Sequence, residues 1–185
     1  MSSPRIKKTS DWQSLDSQHY LHPFTDFHDL GQKGSRIITR AEGVYIYDSE
    51  GNKILDGMAG LWCVNLGYGR EDFAEVAAKQ MMELTYYNSF FQCAHPPVIE
   101  LSTLLSELSP GSFQHTFFTG SGSEANDTQI RLVRRYWDLM GEPERMTIIA
   151  RNNAYHGSTI AGASLGGMSG MHEQLIMPVP GIVHI

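Results

Sequence analysis

Cysteine is scarce in this chain of 185 residues: only Cys63 and Cys93 occur, far apart and without metal-type spacing. That pattern excludes a disulfide framework and predicts free thiols in a reducing cytoplasm. Positive charge is also sparse. Fourteen Lys and Arg face twenty Asp and Glu, for a net charge of −6, and the basic residues are scattered. Such a balance argues against nucleic acid and anionic membranes as partners. No run approaches the ~20 apolar residues that a membrane-spanning helix needs. The opening Met1–Lys8 has charge but no apolar stretch after it, so no secretory signal is predicted. Internal repeats and low-complexity tracts are absent. What remains is an ordinary globular composition, 41% hydrophobic and 18% charged. The length suits one domain, or one domain with an appendage, and can bury a sizeable core.

Residues 1–18 are polar and predicted to be mobile, with a helical turn near Trp12–Tyr20. Val44–Asp48 alternates and is rich in β-branched and aromatic residues. Ser49–Asn52 is a turn and Lys53–Asp56 returns, which predicts a β-hairpin. A glycine-rich stretch follows. Phe73, Val76, Ala77, Met81 and Leu84 recur at helical spacing over Arg70–Leu84, and a second helix is expected over Pro97–Leu108. Beyond it, strands are expected at His115–Thr119, Met146–Ala150 and Pro178–Ile185, with helices at Ser123–Met140 and Ser158–Leu165. Along the Ser123–Met140 helix, Ala125, Leu132, Val133, Tyr136, Trp137 and Met140 are expected to face inward, and Arg131, Arg134, Arg135 and Asp138 mostly outward. Strand alternating with helix implies a parallel sheet with crossover helices. The expected class is therefore α/β: a small antiparallel part over residues 1–70, then an incomplete, mostly parallel part over 71–185. The last residues lie inside an expected strand, and so few parallel strands would expose too much apolar surface to form a finished sheet.

The chemistry concentrates in two loops. Phe117-Phe118-Thr119-Gly120-Ser121-Gly122-Ser123-Glu124 is an apolar strand candidate, a Gly/Ser turn and a helix start. Ser121 at the N-cap with Glu124 three residues on fits a capping box, which turns the carboxylate back onto the N-cap backbone. Ser121, Gly122 and Ser123 then present N–H groups and hydroxyls at the positive end of a helix, where a phosphate can sit. A plain capped helix is the competing reading. A nucleotide P-loop and a nucleophile elbow do not fit the spacing. Asn153-Ala154-Tyr155-His156-Gly157 follows the next strand, so its loop should share a crevice with the first. Tyr155 could stack on a flat ring or simply close the sheet top. Leu61–Asn65 and Tyr86–Phe91 are aromatic-rich segments suited to a substrate pocket, an oligomer interface or ordinary core, with core favoured for Tyr86. His19, His22 and His28 cluster early but lack the fourth ligand and tidy spacing of a metal site.

Taken together, Leu61–Gly69, Phe117–Thr128 and Asn153–Thr159 resemble the class III, fold-type I, pyridoxal-phosphate aminotransferases. Within that family the likeness is greatest to the omega-amine:pyruvate group, over roughly residues 20–185. The resemblance implies that Ser121, Gly122 and Ser123 bind the phosphate of pyridoxal 5'-phosphate. It implies that Tyr155 stacks on the pyridine ring beside His156, and that Leu61 and Trp62 wall the substrate pocket. It also implies that Phe90 and Phe91 reach across a dimer interface to line the neighbouring substrate pocket, in a homodimer or higher oligomer. The reaction would move an amino group from a primary amine or omega-amino acid, such as putrescine, to a keto acid such as pyruvate. The family also needs a Schiff-base lysine and an acid partner for the ring nitrogen. Lys7, Lys8, Lys33, Lys53 and Lys79 are the five lysines here, and none is expected at a strand end facing the crevice. The expected function is thus the amino-terminal portion of such an enzyme, inactive alone. The alternatives are a binding or assembly protein that keeps the cradle without chemistry, and another class III transaminase or aminomutase.

Overall fold

The computed structural model describes residues 8–173 and 178–185, so the mobility expected of the first seven residues lies outside the described residues. Two units, Met1–Asn88 and Ser89–Ile185, divide the chain by their internal contacts. Among the described residues no helix is long and apolar enough to cross a membrane.

The first unit begins with two capped helices. The single turn expected near Trp12 is a full helix, α1 (Thr9–His19), in which the Lys8 N–H donates to the Asp11 carboxylate at 3.0 Å. In α2 (Phe27–Lys33) Asp26 accepts from the N–H groups of His28 and Asp29, satisfying donors the helix cannot. Three antiparallel strands follow: β1 (Ile38–Glu42), β2 (Tyr45–Asp48) and β3 (Lys53–Leu55), in that order across the sheet. The β2–β3 hairpin matches the sequence expectation, whereas β1 was not foreseen. Asp48 ties the hairpin turn: its carboxylate accepts from the N–H groups of Glu50 and Asn52 and from the Asn52 side chain. The Asn52 side chain foremost holds the Asp48 carboxyl below the usual carboxylate range. A single turn, α3 (Ala59–Trp62), precedes α4 (Glu71–Glu83), and the division after Asn88 leaves α4 with the antiparallel sheet.

In the second unit α5 (Pro96–Leu108) carries prolines in its first turn, where no N–H is needed. Then come α6 (Gly122–Leu139), β4 (Ile148–Ala150), α7 (Ile160–Leu165), α8 (Ser169–His172) and β5 (Ile182–His184). Strands β4 and β5 are parallel, pairing Ile148 with Ile182 and Ala150 with His184, as the alternating pattern predicts. Ile130 of α6, Ala150 and Ile182 form the buried cluster, with Ile148, Ala161, Leu165 and Val179 packed around it. Ser164 is fully buried and satisfied, since its hydroxyl donates to the Ile160 carbonyl and accepts from the Val179 N–H.

Two expectations fail here. Residues 115–119 form no strand, because no neighbouring chain among the described residues accepts or donates the ladder hydrogen bonds that define one. The inward face expected for α6 is also different. Leu132, Val133, Tyr136 and Met140 are exposed and Ile130 is the buried residue, because a two-stranded sheet is too narrow to cover more. Arg134, expected to point outward, reaches the Pro180 carbonyl at 2.9 Å.

Candidate functional site

The amino terminus of α6 is built as a donor cluster. Ser121 is its N-cap, and the Ser121 hydroxyl oxygen accepts the Glu124 N–H at 3.2 Å. Glu124 folds back, but onto Gly120 rather than the N-cap itself: its carboxylate accepts the Gly120 N–H at 2.7 Å. The box therefore spans one residue more than the sequence suggested, and it still turns the negative charge back onto the backbone. The Ser123 hydroxyl oxygen accepts the Ser158 N–H at 3.1 Å. With both hydroxyl oxygens already accepting, their protons are available to an external oxygen. The N–H groups of Gly122 and Ser123 find no hydrogen-bond partner among the described residues, as expected for a first helical turn. Behind them stands an 18-residue helix whose dipole favours an anion at this end.

The second loop leaves β4 at Ala150 and returns to this cluster. Ser121, Gly122, Ser123, Asn126, Tyr155, His156 and Gly157 line one open cleft of about 400 Å³. The crevice expected between the two loops is thus present, beyond the carboxyl end of a parallel strand. Tyr155 is 56% exposed, so the ring is no plug in the core. Asn126 and Asp127, which the sequence reading did not single out, lock the loops together. The Asn126 amide donates to the His156 carbonyl at 2.7 Å. Asp127 accepts the Thr159 hydroxyl at 2.6 Å and the Gly162 N–H at 3.2 Å. Their positions gave a usable signal. They follow Ser123 by three and four residues, which places them on the same helix face. A further clamp holds the loop from behind, where the Asn153 N–H donates to the Gly167 carbonyl and the Gly167 N–H to the Ala154 carbonyl. A Cβ on Gly167 would lie 2.6 Å from the Asn152 Cα, so only glycine allows this approach.

The other expected site residues lie each within its own unit. Phe90 and Phe91 belong to the second unit, in a tight turn with positive φ at Phe91 and Gln92, and both rings are exposed. Leu61 and Trp62 belong to the first unit, in α3. Four consecutive residues there, Ala59, Gly60, Leu61 and Trp62, have φ between 48° and 67°. The turn is therefore wound left-handed, at a cost of roughly 1–2 kcal/mol for each residue with a Cβ. The Trp62 N–H donates to the Met58 carbonyl and the Cys63 N–H to the Ala59 carbonyl, at 2.8 and 2.9 Å. Trp62 projects into solvent, 82% exposed. Tyr86, favoured for core, is likewise exposed, since α4 buries no residue against the small sheet. Two of the three early histidines are engaged locally: His22 pairs with Asp16 at 2.9 Å and His28 with Gln32 at 2.9 Å. No group able to hold a metal occurs among the described residues.

A donor cluster for a phosphate, facing an exposed ring across one cleft, can hold a phosphate ester that carries a flat ring. Residues 30–185 match the family described as aminotransferase class-III. The chain belongs to that family. This class III chain is 61% identical over 178 residues to the putrescine–pyruvate aminotransferase of Pseudomonas aeruginosa, covering 96% of itself and 39% of that protein. It is 38% identical to gamma aminobutyrate transaminase 3 of Solanum lycopersicum, covering 99% of itself and 36% of that protein. Among solved structures, an (S)-enantioselective omega-transaminase from Thermomicrobium roseum superposes with a TM-score of 0.91 at 42% identity, over 97% of this chain and 40% of that one. The omega transaminase of Pseudomonas jessenii in complex with PMP superposes with a TM-score of 0.91 at 39% identity, over 94% of this chain and 38% of that one. The class III chain thus spans about two fifths of the length of the relatives it matches. Its small antiparallel sheet and its parallel β4–β5 pair have the architecture of the amino-terminal portion of a fold-type I transferase.

Proposed function

We propose that this chain is the amino-terminal part of a pyridoxal-phosphate-dependent omega-aminotransferase. Residues 1–70 contribute to its small domain and 71–185 to its cofactor domain. The parent enzyme moves an amino group from a primary amine or omega-amino acid, with putrescine the favoured donor, to a keto acid such as pyruvate. The observation that carries the cofactor assignment is the cleft itself. The Ser121 and Ser123 hydroxyls and the Gly122 and Ser123 N–H groups are placed to donate to a phosphate, while the exposed Tyr155 ring is placed to stack on a heteroaromatic ring.

When bound, pyridoxal 5'-phosphate supplies an aldehyde and an electron-withdrawing ring, which let an amino group leave one carbon and join another. This chain's residues bind and orient. The first turn of α6 fixes the phosphate end, Tyr155 sets the ring plane, and Asn126 holds the His156 backbone against the cleft. The lysine that the chemistry requires is not supplied by the second unit, since residues 89–185 contain none. Lys8, Lys33, Lys53 and Lys79 lie in the first unit, and Lys7 lies outside the described residues. We therefore propose that this chain alone is inactive. We further propose a homodimer, supported by the exposed Phe90–Phe91 pair, and a cytoplasmic setting, supported by the two free thiols.

Alanine formation from pyruvate and putrescine by the full-length protein tests the reading. The expected result is alanine and a pyridoxal-type absorbance in the full-length protein, with neither in the 185-residue chain. A full-length protein that releases no alanine with any diamine or omega-amino acid would sink it. The lack of lysine in residues 89–185 favours one other reading, a binding protein without transfer chemistry, should the chain act alone. Preference for aminobutyrate over putrescine would instead place it with the aminobutyrate transaminases.

A further inference from the structure

We propose that Asp56 is a positioning residue that holds the left-handed α3 turn and so sets the direction in which Leu61 and Trp62 project. The proposal rests on the reading above that those two side chains wall the substrate pocket, and it adds the group that fixes them.

Ala59, Gly60, Leu61 and Trp62 all take positive φ, a conformation that residues with a Cβ avoid unless the surroundings impose it. Asp56 is the imposing group. One carboxylate oxygen accepts the Met58 N–H at 3.1 Å, at the entrance to the turn. The other accepts the Gly60 N–H at 2.7 Å, inside it, and the Tyr68 hydroxyl at 2.7 Å. Three donors converge on one side chain, so both oxygens are in use.

The anchor is itself anchored. The Asp56 N–H donates to the Val44 carbonyl at 3.0 Å, fixing it to the sheet. Tyr68 exchanges two backbone hydrogen bonds with Gly43, at 3.2 and 2.7 Å. The turn is also sterically closed: a Cβ on Gly60 would lie 2.7 Å from a Val64 methyl and 3.1 Å from the Tyr68 hydroxyl. Asp56 thus connects the rigid hairpin to a turn whose conformation its own residues disfavour. Removing the acceptor frees the turn to relax toward right-handed backbone, which redirects Leu61 and Trp62.

Asparagine cannot replace this aspartate. Its amide nitrogen would face either the Met58 N–H or the Gly60 N–H, a donor against a donor. Asp48 provides the control, because it also collects two backbone N–H groups in the same unit, but in the β2–β3 turn.

The test uses the full-length protein labelled with 5-fluorotryptophan, with the Trp62 fluorine resonance assigned by its loss in Trp62→Phe. Asp56→Asn is expected to shift or broaden that resonance and to raise the KM for the amine at least fivefold with a smaller change in kcat. Asp48→Asn is expected to lower the melting temperature and leave both the resonance and the KM unchanged. Asp56→Glu is expected to restore neither, since the longer side chain misplaces both oxygens. An unmoved Trp62 resonance in Asp56→Asn overturns the proposal, as does an equal shift in Asp48→Asn. A moved resonance with unchanged KM supports the role of Asp56 and overturns the pocket-wall reading instead.

Discussion

Gly157 shows how tightly single residues define the cleft. Its φ is 127°, and a Cβ there would lie 2.9 Å from the Ser123 Cα. Gly157→Ala should therefore push the two loops apart, and the full-length protein should lose cofactor on dialysis and about 1–3 kcal/mol of stability. Thermal melting with and without added cofactor checks both effects. Tyr155→Ala should weaken retention without such a loss, since the ring is more exposed than buried. Acid stability turns on two other side chains. Tyr68 foremost holds the Asp56 carboxyl below its ordinary value, and Asn52 foremost does so for Asp48. A carboxyl with a lowered folded value stabilises the fold fully above its unfolded pKa of ~3.9 and loses that contribution as pH falls through the folded value. Denaturant midpoints measured from pH 5 down to pH 2 should drop, and Asp48→Asn should flatten the drop. That the serines share a cleft with Tyr155 and His156 was legible from the spacing of the two loops, whereas their roles toward a cofactor were implied only by the family resemblance. The left-handed winding of Ala59–Trp62 was not, since only Gly60 in that run carries a conformational signature.

At the level of elements, the two sheets differ in how they could be foreseen. The β2–β3 hairpin is local, with strong alternation and a clear turn, so its pattern sufficed. Strand β1 has weaker alternation in Ile38-Thr39-Arg40-Ala41-Glu42, and its pairing with β2 shifts register near its start. The segment 115–119 has strand composition but no partner among the described residues, and propensity alone does not make a strand. Helix α6 was legible from its cap to its end, yet its tie to α7 was not, because the Asp127 contacts to Thr159 and Gly162 span more than thirty residues. Asp127→Ala should cost about 1–2 kcal/mol through those lost hydrogen bonds. The result should be a lower denaturant midpoint together with faster cofactor loss from the full-length protein. Unchanged cofactor loss would mean that α7 does not govern the Tyr155 loop.

Across the whole molecule, uncovered apolar surface is the dominant quantity. Among the described residues the buried apolar side chains are Ile130, Ala150, Ala163 and Ile182, while many large ones remain exposed. Beside β4 lies an apolar hollow of about 350 Å³, lined by Ile130, Val133, Ile149 and Leu165 among others. The 185-residue chain on its own should accordingly bind an apolar dye such as ANS and aggregate without a fixed stoichiometry at micromolar concentration, whereas the full-length protein should bind no dye and stop at its closed oligomer. Strand β4 is paired on one side only, by β5, among the described residues. That open edge has a consequence for biosynthesis. If the parent chain is made at ~10 residues per second, this portion leaves the ribosome tens of seconds before its remaining partners exist. Throughout that interval a bare strand and a greasy hollow would stand open to other nascent polypeptides.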